Sequence, residues 1–374
     1  MTETTTIDGI GRSRSVGESP YAMARGLAAL PLGQAVASLR GALALSPGDA
    51  DLNALRLWLA LRRHRAGAAT LRAVNRLLAV TPLLDRPLNA EGAFAACVAT
   101  RSAALGQGDP GLFFRLATLS HACGLIAFWR RFGQPVMVEH QGDRYALQVG
   151  DRRVVFDVMG PELGLHFDFF FVHEPGMWRW LAELTPADVL LDVGANVGTY
   201  SVAAAGLSGC TVVGLEPFPV NLRAAVANVA ANGLADRVRI LPVAAAASSG
   251  QGRLSHEAAV PGVAAQSYRA GGEAAPVGVA EIDVAGVAID DLVASGTIPF
   301  PTRIKIDVDG GEDAVVAGMQ RTLGDPRLHS VRMEVRWWEP GKRAVVEAVT
   351  RHGFQSAVAD DRKNLLFRRV GTTG

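Results

Sequence analysis

The sequence predicts an α/β fold with a parallel sheet in its C-terminal part, preceded by an all-α region. From Asp188 onward, short and nearly continuous apolar runs alternate with helical segments. Such alternation is typical of a parallel sheet with helices on both faces, because its strands are buried on both sides. Before about Phe132 the chain is rich in Ala, Leu and Arg, with apolar residues at helical spacing. A length of 374 residues with 49% hydrophobic composition is enough for two domains.

We expect four segments along the chain. Residues 1–20 contain Ser, Thr and Gly but no apolar core of a signal peptide, which predicts a disordered leader. Residues 21–135 are expected to form a helical domain, and residues 136–171 a β-hairpin junction built from YALQVG and RRVVFDV. Residues 172–374 are expected to form the α/β domain.

Composition excludes several classes of function. The 37 Lys and Arg residues against 36 Asp and Glu give a net charge of +1, so no basic field recruits nucleic acid or an anionic membrane. The three cysteines show no C-x-x-C spacing, which disfavours a disulfide framework or a zinc cluster. The most apolar stretch, residues 111–132, is interrupted by Arg115 and His121, which favours a buried helix over a membrane span. We expect a cytoplasmic protein without nucleic-acid or membrane partners.

A strand ending at an acid and turning through glycine into a helix is the most informative segment, LLDVGANVGT at residues 190–199. Ligands of open α/β sheets bind beyond the carboxyl ends of the strands. A dinucleotide fingerprint would place a glycine where Asn196 stands, which disfavours a pyrophosphate and therefore NAD. Asp192 suits the ammonium group of S-adenosyl-L-methionine. We expect Asp192, Gly194, Ala195, Asn196 and Gly198 to bind that cofactor; the alternative is that Asp192 and both glycines only form a tight turn.

Further cofactor contacts are expected from the next two strands. Glu216 ends the second strand, 22 residues after Gly194, the spacing at which an acid reaches ribose hydroxyls. Pro217 and Phe218 follow and are placed to wall the adenine, although a core position explains Phe218 equally well. After the third strand, small side chains leave the backbone near Val243 and Ala244 to meet the adenine edge.

A charged fourth strand and its exit loop, RIKIDVDGGE at residues 303–312, carry the catalytic candidates. Lys305 and Asp307 point to one face by the two-residue period of a strand, and buried charges must be paired. Lys305 is explained equally by an internal ion pair, and Asp307 is the better candidate for catalysis. Glu312 begins a helix, where stabilisation of the helix N-terminus and catalysis are equally plausible.

Weaker candidates remain in and around the same loop. Asp309 shapes the turn or, with Asp307 and Glu334, binds a divalent cation, although acid clustering is weak evidence and we expect no metal site. His256 is a lower-ranked catalytic base in an irregular Gly- and Ala-rich insertion, residues 247–287. That insertion is interpreted as a loop that covers or selects the acceptor, with a disordered excursion as the alternative.

Three ordered motifs, LLDVGANVGTYS, VVGLEPFPVNLRAAVANVAAN and IKIDVDGGEDAVVAGM, resemble the FkbM family of methyltransferases over about residues 172–337. The resemblance implies a class I Rossmann-like methyltransferase sheet and O-methylation of a sugar, glycan or secondary metabolite. It assigns Lys305, Asp307 and Glu312 to the fourth-strand motif of the family. Asp309-Gly310-Gly311 departs from the more usual Glu-Gly-Ala, which puts the geometry of that acid in doubt.

Two other interpretations stay open beside O-methylation. A catalytically inactive scaffold would bind the cofactor while its helical half mediates assembly, and an NAD-dependent oxidoreductase is disfavoured by Asn196. The N-terminal helices lie outside the resemblance. They are candidates for contact with a protein partner or another copy of the chain.

Overall fold

The computed structural model describes residues 32–45, 136–141, 144–157, 174–256, 261–262, 266–271, 280–336, 338–358 and 364–371. The predicted leader and most of the predicted helical domain lie outside these residues, as do 142–143 and 158–171 of the expected junction. The chain divides into two compact units. The first comprises Met1–His140, Leu147–Gly150 and Phe169–Trp178, and the second Gln141–Ala146, Asp151–Asp168 and Arg179–Gly374.

The elements that precede the α/β region include a small three-stranded sheet. The predicted hairpin strands are present as β2 and β3, and a third strand, β1, extends the pair in the order β1-β2-β3. The bounds are α1 (Leu32–Leu45), β1 (Val136–Gln141), β2 (Arg144–Val149), β3 (Arg152–Asp157) and α2 (Pro175–Leu181).

A seven-stranded sheet forms the centre of the second unit, in the order β13-β14-β12-β11-β4-β5-β6. Its strands are β4 (Val189–Val193), β5 (Thr211–Leu215), β6 (Val238–Leu241), β11 (Arg303–Ile306), β12 (Ser330–Glu334), β13 (Phe354–Val358) and β14 (Asn364–Arg369). The helices of this unit are α3 (Thr199–Ser208), α4 (Pro219–Ala231), α5 (Ile289–Ala294), α6 (Glu312–Ala317), α7 (Gln320–Gly324) and α8 (Arg343–Thr350).

Strand β4 occupies the switch point of this sheet, with β5 on one side and β11 on the other, both parallel to it. The predicted alternation of strands and helices is confirmed, and β13 and β14 close the sheet as an antiparallel hairpin. A crevice for a ligand opens beyond the carboxyl ends of strands at such a point. The fold therefore brings the end of β4 and the end of β11 to one place.

Apolar packing on the sheet anchors these strand ends. Every residue of β11 is buried, and Ile304 and Ile306 are 0% exposed in a core cluster that also contains Leu191 and Val193 of β4. Helix α3 has nine of its ten residues buried, as expected for a helix covered on several sides. The loops that leave β4 and β11 thus start from rigid positions.

The insertion differs from its prediction. The described parts of residues 247–287 are neither an irregular loop nor a disordered excursion, since they form β8 (Gly250–His256), β9 (Ser267–Ala270) and β10 (Ala280–Val287). These strands and β7 (Val243–Ala245) make a second sheet in the order β7-β10-β8-β9. The run RVRILPVA at residues 237–244 is divided between two strands, because β6 stays in the main sheet while β7 pairs with β10. The high Gly and Ala content hid a two-residue alternation of apolar and charged side chains.

Gly318 tests the junction between α6 and this second sheet. A Cβ atom at Gly318 would lie 2.1 Å from the backbone oxygen of Ala246, whereas a Cβ at Gly324 would meet nothing closer than 3.7 Å. We expect Gly318→Ala to lower the free energy of unfolding by about 1–3 kcal/mol, because backbone must move to admit the methyl group. Urea denaturation followed by circular dichroism measures this. Gly324→Ala is the matched control, and equal losses in the two variants would contradict the prediction.

Candidate active site

The loop after β4 is a tight turn built from backbone bonds. The amides of Gly194 and Ala195 both donate to the carbonyl oxygen of Leu215 at 3.0 Å, which ties the loop to β5. Gly194 has a φ of +75°, and a Cβ there would lie 2.0 Å from the carbonyl oxygen of Asp307. Asn196 also has a positive φ, of 51°, a conformation that asparagine tolerates better than most residues. The loop is held in one conformation that presents its backbone to the crevice.

Glu216 is clamped at the end of β5. One carboxylate oxygen, Oε2, accepts a hydrogen bond of 2.8 Å from the amide of Asn196, and Oε1 accepts one of 2.9 Å from the amide of Phe218. The residue is 4% exposed, and burial raises the pKa of Glu216 to about 7 in spite of these two hydrogen bonds. Each oxygen keeps a lone pair for a ligand hydroxyl.

Asp192 lies beneath the loop and is 0% exposed. Its Oδ2 accepts a hydrogen bond of 2.7 Å from the Ser201 hydroxyl. Its Oδ1 is 3.0 Å from Nζ of Lys305, an ion pair that lacks the directional geometry of a hydrogen bond. Direct contact of Asp192 with a cofactor ammonium therefore stays a prediction, while its pairing with Lys305 is present in the structure.

Lys305 joins the cofactor loop to Asp307. Its buried ammonium donates to the carbonyl oxygen of Gly194 at 3.1 Å and lies 3.4 Å from Oδ2 of Asp307. The Lys305 side chain is 3% exposed, whereas that of Asp307 is 40% exposed. The internal ion pair considered for Lys305 is present, and Asp307 is the partner that faces the open crevice.

Glu312 is engaged away from the crevice. Its Oε2 lies 2.7 Å from Nζ of Lys342, and its Oε1 accepts a hydrogen bond of 3.1 Å from the amide of Gly310. Burial opposes the charge of Lys342, but its contacts with Glu312 and Asp313 outweigh this and raise the pKa of Lys342. Lys342 was missed in the sequence because it lies 30 residues beyond Glu312 and belongs to no motif. Glu312 fixes the exit loop of β11.

A pocket opens at the carboxyl ends of β4, β5 and β11. Of the residues predicted to bind cofactor or act in catalysis, those that line it are Gly194, Asn196, Glu216, Pro217, Val243, Ala244 and Asp307. Predicted residues that do not line it are Asp192, Ala195, Gly198, Phe218, Lys305 and Glu312. The lining residues that the sequence analysis did not name include Leu254, Gln266 and Tyr268, which all belong to the insertion.

Two predicted aromatic candidates lie behind the pocket wall. Phe218 is 2% exposed and packs with Leu254 and Val284 in a small apolar cluster, which agrees with the core position considered for it. The His256 ring lies 4.9 Å from the Phe218 ring, centroid to centroid. Gly198 approaches Ala225 of α4, where an added Cβ would be 3.2 Å from the Cβ of Ala225. These residues shape the site from beneath.

Comparison with known proteins identifies the family. Residues 192–356 match the model of the methyltransferase FkbM domain. The 31-O-demethyl-FK506 methyltransferase FkbM of Streptomyces tacrolimicus is 30% identical over 201 residues, which are 48% of this chain and 77% of that protein. The chain belongs to the FkbM family of methyltransferases. Its cofactor is S-adenosyl-L-methionine.

Two other proteins are similar to this FkbM-family methyltransferase over a smaller share of their own length. The hexuronic acid methyltransferase AglP of Haloferax volcanii is 30% identical over 145 residues, and the match spans 38% of this chain and 54% of AglP. A crystal structure of methyltransferase FkbM from Methylobacillus flagellatus superposes with a TM-score of 0.37 at 14% identity, over 79% of this chain and 65% of that one.

The residues of the pocket fit the cofactor. The Oδ1 atom of Asn196 is buried and has no hydrogen-bond partner among the described residues, so the pocket wall holds an acceptor that lacks a donor. Glu216 offers two further acceptor positions beside it. S-adenosylmethionine carries ribose hydroxyls and an ammonium group that donate, which matches this set. Asn196 and Glu216 would hold those donors, and Pro217, Val243 and Ala244 would border the base.

Metal sites and membrane-spanning helices are both absent from the described residues. No three His, Cys, Asp or Glu side chains within them are placed to hold a metal ion, so the alternative cation site of Asp307, Asp309 and Glu334 is not formed there. Within the same residues, no helix is long and apolar enough to cross a membrane.

Glu216 is predicted to make cofactor affinity depend on pH. Its ionised carboxylate would accept both ribose hydroxyls, so protonation below its pKa of about 7 would remove binding sites. We expect the Kd of S-adenosylhomocysteine to rise about tenfold from pH 8 to pH 6, since binding favours the ionised form. Titration calorimetry measures this. Glu216→Gln should bind more weakly with a flat profile, and the exposed Glu183→Gln should keep the wild-type profile. A flat wild-type profile would contradict the ribose assignment.

Proposed function

We propose that this enzyme transfers the methyl group of S-adenosylmethionine to a hydroxyl oxygen of a sugar, glycan or secondary metabolite. The observation that carries the proposal is the Asp307 carboxylate, which lines the pocket beside the cofactor residues and is 40% exposed. The names of two relatives, an O-demethyl-FK506 and a hexuronic acid methyltransferase, support a hydroxylated acceptor.

Asp307 is the proposed general base. An alcohol oxygen is a weak nucleophile while it holds its proton, and a base in contact with it contributes about 10²–10⁴-fold to the rate. S-adenosylmethionine supplies an electrophilic methyl group when it is bound. Asp307 would accept the proton that the hydroxyl gives up, and the oxygen keeps the electron pair with which it attacks.

Lys305 and Glu312 are proposed to position this base. Lys305 lies 3.4 Å from Asp307 and also binds the Gly194 carbonyl, so it holds the carboxylate at a set distance from the cofactor loop. Glu312 accepts from Gly310 in the exit loop of β11. Placement of two reactants contributes roughly 7–11 kcal/mol in well-oriented reactions, so the rigidity of this loop matters for the rate.

Asp307→Asn separates proton transfer from cofactor binding. We expect turnover to fall by about 10²–10⁴-fold, because the amide cannot accept the hydroxyl proton, with an unchanged Kd for S-adenosylhomocysteine. Transfer of tritiated methyl groups to a panel of sugars, uronic acids and alicyclic alcohols measures turnover. Asp313→Asn is the matched control, since that side chain is 68% exposed and does not line the pocket. Full turnover of Asp307→Asn would refute the base assignment and leave the cofactor untouched.

Glu312→Gln distinguishes positioning from catalysis. Loss of the ion pair between buried Glu312 and half-buried Lys342 should lower the free energy of unfolding together with turnover, because the exit loop of β11 loses its anchor. Urea denaturation and the same methyl-transfer assay give the two values. Lower turnover with wild-type stability would instead point to a direct catalytic role for Glu312.

A further inference from the structure

The second sheet presents an apolar face to the pocket and a charged face away from it. Leu254 pairs with Tyr268 across β8 and β9, and both residues line the pocket. The neighbouring register pair is Arg253 and Arg269, which point to the opposite face by strand alternation. There they form ion pairs with Glu281 and Asp283 of β10. The only arginines of the insertion are therefore turned away from the pocket.

Tyr268 lies on a floor of glycines. A Cβ at Gly252 would be 2.4 Å from Cε2 of Tyr268, and a Cβ at Gly286 would be 2.0 Å from its hydroxyl oxygen. The aromatic ring therefore crosses two neighbouring strands at positions where any side chain would displace it. Glycine in a strand interior often marks such a close approach. The ring is held flat on one side and contributes to the pocket wall.

Acidic groups line the same pocket as this ring. Asp307 and Asp309 both line it, and Oδ2 of Asp309 accepts a hydrogen bond of 3.1 Å from the amide of Gln266, which links the exit loop of β11 to the start of β9. Among the described residues that line the pocket, there is no Lys, Arg or His.

Nearby lysines are committed to other carboxylates. Lys305 is paired with Asp192 and Asp307, and Lys342 with Glu312 and Asp313. Among the described lining residues, a carboxylate or phosphate on the acceptor would meet carboxylates and no balancing cation, and like charges at a binding surface disfavour binding. An uncharged polyol would instead donate hydroxyl hydrogens to Asp307 and Asp309.

We infer that the acceptor is an uncharged cyclic alcohol, whose hydroxyls donate to Asp307 and Asp309 and whose apolar ring face packs on Tyr268. This rests on the proposed hydroxyl methylation and narrows it, because acceptors that are anionic near the methylated hydroxyl are disfavoured. The ring is that of a pyranoside or of an alicyclic alcohol, since both present the same chemistry to Tyr268.

Isosteric pairs that differ only in charge test the inference. The probes are methyl glucopyranosiduronamide against the uronate, and 4-hydroxycyclohexanecarboxamide against the carboxylate. Binding to the full-length protein with S-adenosylhomocysteine is followed by saturation-transfer NMR, and methylation by tritium transfer. We expect the amide of at least one pair to be favoured about tenfold or more, and the responding pair identifies the ring type.

The outcomes separate the two proposals. Equal or better use of the carboxylates would overturn the charge preference while hydroxyl methylation stands. Preferential binding of an amide, with no methylation of any acceptor in the panel, would overturn the proposed function and keep the charge preference. Binding of neither member of either pair would overturn the assignment of this wall as a site for a cyclic alcohol.

Variants locate the preference in the pocket. Asp309→Lys should shift the amide-to-carboxylate ratio towards the carboxylate by about tenfold or more. Asp283→Lys makes the same charge change on the outer face of the second sheet, where the side chain is 85% exposed, and should leave the ratio unchanged. Tyr268→Ala should raise the KM for the amide more than Tyr268→Phe does, without a change in the Kd of S-adenosylhomocysteine. Equal shifts by the two lysine variants would refute a role for Asp309.

Discussion

The buried ammonium of Lys305 is the constraint on which the site depends. A charge removed from water must be matched by charges and acceptors close to it, and Lys305 finds them on two different strands. Its register partner on β4 is Asp192, and it also binds the carbonyl of Gly194 and approaches Asp307. One side chain thus links the floor of the cofactor loop to the carboxylate proposed as base. Movement of either loop would remove one partner from this buried charge and leave it with Asp192 and the other loop.

Close backbone approach reinforces that link. Gly194 leaves no room for a side chain because the carbonyl oxygen of Asp307 occupies the place of its Cβ. The amides of Gly194 and Ala195 donate to the carbonyl of Leu215, and the amide of Asn196 donates to the carboxylate of Glu216. Strand β5 and the residue after it thus complete the turn. The cofactor side of the pocket is consequently built mostly from main chain and one clamped carboxylate. A site built in this way does not depend on side chains that would have to change with the acceptor.

The part of the pocket that we propose for the acceptor has a different origin. It is formed by the second sheet and by the acidic exit loop of β11, which are joined where Asp309 accepts a hydrogen bond from Gln266. Strand alternation sorts the side chains of the insertion, with Tyr268 towards the pocket and Arg253 and Arg269 away from it. The charge of the pocket therefore follows from which face of the sheet turns inward. On this proposal, the residues that bind the cofactor can stay the same, while the second sheet and the exit loop of β11 determine which acceptor binds.

The sequence alone determined the order of strands and helices, the cofactor loop, the acid of β5 and the charged motif of β11, because local periodicity and short spacing encode these features. Residues 1–31 and 46–135 lie outside the described chain, so the predicted leader and helical domain stay predictions. Tertiary structure decided the rest. Phe218 is buried in an apolar cluster, Glu312 is bound to Lys342, and Tyr268 reaches the pocket from an insertion that composition had made look irregular. Those outcomes depend on interactions between segments far apart in the chain, which no local pattern records.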